Sequence, residues 1–147
     1  SGLTTSTVNF PVLWEGMQSS GVAIQAVLDE VVATKSDLEA LLLSTTSGVP
    51  LYHSGAFADD ELAQASASNL FSTAALQIKK MRVGEVKTMT AFYENSVLLH
   101  VNIDPLVLTC IASSGANVGA LRSIAPSLEE TLKPLKDAAD LHKEENQ

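Results

Sequence analysis

The side chains able to do chemistry are few and scattered. His53, His100 and His142 fall on different predicted elements and share no ligand spacing, whereas a metal site needs at least three converging donors. Cys110 sits in the middle of an apolar run, Leu106 to Ala112, where a thiol is held protonated and inert. Asp59-Asp60-Glu61 suits the first turn of a helix better than it suits a cation. Ser113-Ser114-Gly115 has no base in reach and is not a Gly-x-Ser-x-Gly elbow, and no Gly-x-x-x-x-Gly-Lys loop offers a phosphate cradle. The residues predict no catalytic constellation, no metal and no cofactor, so any activity has to come from surfaces.

Composition narrows what those surfaces meet. Nine basic against seventeen acidic residues leave a net charge of −8, the wrong sign for nucleic acid or for direct docking on an anionic membrane. Apolar residues make up 46% of 147, enough for one globular domain with its own core. A lone cysteine excludes an intrachain disulfide and fits a reducing cytosol. No apolar run approaches the ~20 residues that span a bilayer, and no basic-then-apolar leader opens the chain. Gly2-Leu3-Thr4-Thr5-Ser6 fits the N-myristoylation pattern if Ser1 stands where an initiator Met would.

The elements follow from periodicity. Residues 1–19 read as an N-terminal arm, Ser/Thr-rich and then a Phe10–Met17 apolar cluster, with Trp14 as an anchor packed back on the domain. The cluster is broken by Pro11 and Gly16. Ser20 caps a helix to about Thr34, with Val22, Ala26, Val27 and Val31 at helical spacing. Asp37–Ser44 and Val49–Ser54 form a hairpin whose second strand lies at a sheet edge, because Pro50 cannot donate to a ladder.

Asp59 or Asp60 opens the longest helix, which ends in Lys79, Lys80 and Arg82. Its core stripe is predicted as Ala63, Ala67, Leu70, Phe71, Ala74, Ile78 and Met81. A second line, Leu62, Ser66, Asn69, Thr73 and Leu76, is mostly small where a solvated face would carry Glu and Lys, and so predicts a close helix–helix contact. Val86–Tyr93 is a strand with Thr88, Thr90 and Phe92 on one side. Val97–Ile103 alternates next, with His100 turned outward. Leu106–Ala112 is apolar throughout and therefore central. Asn117 caps a last helix carrying Leu121, Ile124, Leu128, Leu132, Leu135 and Ala139, kinked near Pro126, and residues 142–147 form a polar tail.

This order, α-β-β-α-β-β-β-α, over residues 20–141 predicts an α/β fold, an α+β sandwich with a five-stranded mixed or antiparallel sheet and helices on both faces. Particular stretches carry a resemblance. Gly48-Val49-Pro50, Phe71-Ser72-Thr73-Ala74, Lys87 to Tyr93, Asp104-Pro105-Leu106-Val107, Ile111-Ala112-Ser113-Ser114 and Ala116-Asn117-Val118-Gly119 together resemble roadblock-type domains of the roadblock/profilin-like architecture. Among these they look like the mitogen-activated protein kinase scaffold, or MEK partner, subunits of the Ragulator complex.

The resemblance, over about residues 22–136, implies a non-catalytic adaptor that dimerises with a second roadblock-fold subunit. It also implies an assembly in the cytoplasm, peripheral on late endosomes or lysosomes, that serves MEK–ERK kinases and Rag-type GTPases, with the membrane reached only through partners. In such domains the long helix and third strand form the interface, which assigns it here to Leu62, Ser66, Asn69, Thr73, Leu76, Thr88, Thr90 and Phe92. A homodimeric roadblock regulator of a small GTPase, a dynein light chain, and a small enzyme or ligand carrier using His100 or Cys110 are the alternatives.

Overall fold

The computed structural model describes the backbone of residues 10–56 and 59–145 and the side chains of residues 21–56 and 59–141. The N-terminal residues carrying Gly2, the packing of Trp14 and the side chains of the tail from His142 lie outside the described residues. Helix α1 (Phe10–Thr34) starts ten residues before the predicted Ser20 cap. Pro11 does not stop it, because in the first turn its missing N–H has no intrahelical partner to lose. Its buried face is Ile24 and Leu28, flanked by Val27 and Val31, while Val22 and Ala26 are exposed.

Strands β1 (Leu38–Thr45), β2 (Pro50–Gly55), β3 (Thr88–Phe92), β4 (Ser96–Ile103) and β5 (Leu106–Ser113) form one sheet in the order β2-β1-β5-β4-β3. Every pairing is antiparallel. The unbroken apolar run of β5 is central, and the strand carrying Pro50 lies at an edge, as residue chemistry requires.

Helix α2 (Glu61–Lys79) begins where Asp60 accepts the Ala63 N–H at 2.9 Å. After β5, Asn117 caps a short α3 (Val118–Arg122) by accepting from Ala120 N–H. The predicted kink is a full break at Ser123, so α4 (Ile124–Glu145) is a separate helix with Pro126 harmless in its first turn. Pro134 lies inside α4 on its exposed side, where water can serve the carbonyl left without a donor. The helix also runs four residues past Leu141.

Strand alternation divides the core into two layers. On one face Leu41, Leu43, Leu99, Leu106, Leu108 and Cys110 pack with Ile24 and Leu28 of α1, Leu121 of α3, and Ile124, Leu128 and Leu132 of α4. The predicted stripe of the last helix is thus its buried face. The other face carries Leu42, Thr109 and His100 in one cross-strand row, and α2 lies over it.

Candidate protein-binding interface

The layer under α2 is unusually polar. Gln64 and Ser68 join Phe71 as the helix's buried residues. His100, turned outward in the sequence reading, is 1% exposed beneath Phe71, with ring centroids 5.9 Å apart. Its Nδ1 shares a hydrogen bond with the Thr109 hydroxyl at 2.9 Å, Nε2 has no protein partner, and burial lowers its pKa to about 4. Ser44 Oγ, His53 Nδ1 and Asn102 Oδ1 are likewise buried without a partner, and all belong to strand positions on this same face. Such a layer holds a helix less firmly than the aliphatic layer behind it.

The side chains singled out for chemistry are dispersed. Cys110 is wholly buried in the opposite layer, where burial pushes its thiol up to about 12. His53 is on β2 and His100 on β4, separated by two strands. Among the described residues no three His, Cys, Asp or Glu side chains gather as metal ligands.

Two observations orient α2. Gln64, Ser68 and Phe71 face the sheet. A Cβ on Gly48, in the β1–β2 turn, would lie 2.5 Å from Asn69 Oδ1 and 3.1 Å from Ser72 Oγ, so one flank abuts that hairpin. At 100° per residue the opposite flank, Ala63, Ala67, Leu70 and Ala74, therefore looks along the sheet toward β4 and β3. These four belong to the stripe predicted as core. In the structure the alanines are only half-buried and Leu70 is 39% exposed, because the helix is turned by about a quarter revolution from that prediction. Met81 lies past the helix end and is exposed.

The other predicted stripe, Leu62, Ser66, Asn69, Thr73 and Leu76, is exposed along its whole length and points away from the sheet, with Leu62 at 79% and Leu76 at 60%. It does not share a surface with the side chains of Thr88, Thr90 and Phe92. Those pair with Val101, Leu99 and Val97 and lie on the α1/α4 side of the sheet.

What β3 presents outward is its backbone. Tyr93 N–H bonds Ser96 carbonyl and Asn102 N–H bonds Lys87 carbonyl, so Lys87, Met89, Ala91 and Tyr93 turn their polar groups toward β4. By antiparallel alternation, Thr88, Thr90 and Phe92 direct their N–H and C=O groups off the sheet. Phe92 is also 72% exposed.

The far edge is treated differently. On β2 the outward carbonyl of His53 is taken by Gln25 Nε2 of α1 at 2.8 Å, and Pro50 has no N–H. Asp29 Oδ1 holds Gln25 at 2.9 Å and accepts from Ser54 Oγ at 2.6 Å; those bonds, the Ser54 one first, lower the Asp29 pKa. Among the described residues one edge of the sheet is thus partly guarded and the other is open.

The family model described as "Mitogen-activated protein kinase kinase 1 interacting" matches residues 22–139. The chain belongs to that family. It is 27% identical to the Ragulator complex protein LAMTOR3 homolog of Drosophila melanogaster, over 78% of this chain and 94% of the relative. It is 30% identical to Ragulator complex protein LAMTOR3-B of Xenopus laevis, over 71% and 85%. The roadblock/LC7 domain from Streptomyces avermitilis superposes with a TM-score of 0.65, covering 76% of this chain and 95% of that one. At 18% identity it shows the fold alone, which is the roadblock fold. This LAMTOR3-like chain is a non-catalytic adaptor. Among its described residues no helix is long and apolar enough to cross a membrane.

Proposed function

We propose that the chain is a Ragulator subunit that pairs with a second roadblock-fold protein through the open β3 edge. The flank of α2 carrying Ala63, Ala67, Leu70 and Ala74 closes over the joined sheets. The outward stripe from Leu62 to Leu76 then receives further components of the assembly, MEK–ERK kinases and Rag-type GTPases among them, at the late endosomal or lysosomal surface. The membrane is reached through partners.

The observation that carries this reading is the asymmetry of the edges: the outward backbone of Thr88, Thr90 and Phe92 has no partner among the described residues, whereas on β2 Gln25 takes the His53 carbonyl and Pro50 offers no donor. An open edge left bare is an aggregation site, so natural proteins cover it.

Affinity purification from the native source, with wild type beside Thr90→Pro, tests the proposal. The Thr90 N–H points away from β4, so proline there spares the internal ladder while removing a central donor and obstructing the approach. Loss of that bond and of close contact weakens pairing by about 2–3 kcal/mol, or roughly 30- to 150-fold. Equal recovery of a roadblock-fold subunit by both forms would remove β3 from the interface. Recovery of a dynein intermediate chain, or of a GTPase alone, would replace the scaffold reading.

A further inference from the structure

The connection between α2 and β3 departs from the charge of the rest of the chain. Four of the nine basic residues, Lys79, Lys80, Arg82 and Lys87, fall within residues 79–87, against one acid there, Glu85. On a chain of net charge −8 this is a local field of the opposite sign. Asp104, two residues past the Asn102 whose N–H bonds the Lys87 carbonyl, stands at the same end of the sheet and tempers that field.

The helix dipole accounts for only part of this. Lys79 lies in the last turn of α2 and Lys80 is its cap, whereas Arg82 and Lys87 lie beyond the helix. Met81 and Val83 alternate with Lys80 and Arg82 and are 68% and 70% exposed. A lone exposed apolar side chain is ordinary. Here every residue from Lys79 to Glu85 is exposed, and a Cβ on Gly84 would meet nothing within 4 Å. Apolar and cationic side chains thus share one segment that stands clear of the domain.

The backbone holds that segment out. The N–H groups of Lys80, Met81 and Arg82 bond the carbonyls of Gln77, Ile78 and Lys79 in turn. Arg82 then takes φ 57°, a left-handed conformation that glycine adopts freely and arginine does not. Such strain clusters where a side chain has a use.

Shape separates the candidate occupants. The tip is convex, so a rigid protein would need a matching hollow, whereas a headgroup layer yields to it. Apolar side chains set between cations suit the boundary of a bilayer, Met81 and Val83 dipping toward the acyl chains while Lys80 and Arg82 snorkel to anionic headgroups. We propose that the α2–β3 tip is a contact for an anionic lipid surface, made once partners have brought the chain there. This rests on the late endosomal or lysosomal placement proposed above and adds a lipid-facing end to it. The acidic remainder of the chain, repelled by the same surface, turns away and fixes the orientation.

Full-length Val83→Cys protein carrying an environment-sensitive fluorophore tests the contact; Cys110 is buried and takes no label. A C-terminal histidine tag holds the chain on vesicles containing nickel-chelating lipid, as partners would. The fluorophore is expected to brighten and shift to the blue on vesicles with phosphatidylserine, and to do neither on phosphatidylcholine alone. The same label at Val22 on α1, 70% exposed, is expected to stay unchanged on both. Lys80→Ala together with Arg82→Ala should lower the contact equilibrium roughly 30-fold. Both residues are exposed, so the urea midpoint should stay close to that of the wild type. A silent label at Val83 on phosphatidylserine, or an equal response at Val22, would overturn the proposal. A response to polyglutamate without one to lipid would overturn it too, making the tip a reader of acidic protein. The Thr90→Pro comparison tests the β3 interface by itself, so a silent label beside normal recovery of a roadblock-fold subunit removes the lipid contact alone.

Discussion

Acidifying the protein should cost it stability through one residue, His100, and the size of that cost can be worked out. In the folded chain the ring is buried between Phe71 and Thr109 and its pKa is held at about 4, against 6.5 when free. The unfolded chain therefore takes up a proton that the folded chain refuses. Stability is intact above pH 6.5 and falls as pH drops from there toward 4. Relative to pH 7 the loss reaches about 2 kcal/mol at pH 5 and about 3 kcal/mol at pH 4, from 1.36 kcal/mol per pKa unit.

His100→Leu removes the titration but leaves the Thr109 hydroxyl without its partner, a penalty of about 1 kcal/mol at neutral pH. The two stability curves should then cross between about pH 5 and 6, with the variant the more stable form below the crossing. Urea unfolding of both proteins from pH 7 to pH 4 measures this, and the carboxylates common to both cancel in the difference. Parallel curves with no crossing would show that His100 is not held neutral by burial.

Other outcomes follow from the same geometry. Gly48→Ala should destabilise the fold by about 2–3 kcal/mol in denaturant titrations, from the positive φ of 97° and from pressing on Asn69 and Ser72. Gly84→Ala, at φ 102° with open space around it, should cost only about 1 kcal/mol. If the two cost the same, the turn does not press on α2. Cys110, with its thiol near 12, should resist iodoacetamide at pH 8 in the native protein and react only as the chain unfolds. Stoichiometric labelling of folded protein would contradict the burial described above.

The chain announces its strands more clearly than its helix faces. Leu106 to Ala112 reads as a covered strand and is one, and Pro50 correctly marks an edge, because ladder chemistry is local. The start of α1 was hidden because Pro11 looks like a breaker unless its place in the first turn is known. On α2 the small residues run nearly all round the helix, so periodicity cannot fix its rotation, and Gln64 and Ser68 are buried where polar residues would be read as exposed. His100 fails for the same reason: alternation gives the opposite side of a strand but not whether a helix covers it. The outward backbone of Thr88, Thr90 and Phe92 depends on which of two alternating sets faces β4, and only the register with β4 settles that.

The contact from Gln25 to the His53 carbonyl bears on how many copies can join. A chain with two receptive margins would polymerise, each copy templating the next without end. With one margin partly occupied from within its own fold, pairing through β3 as proposed leaves outer strands less ready to add a further copy. A complex that must hold fixed proportions of several proteins needs that property in its parts, and here a single glutamine amide and a proline ring favour it.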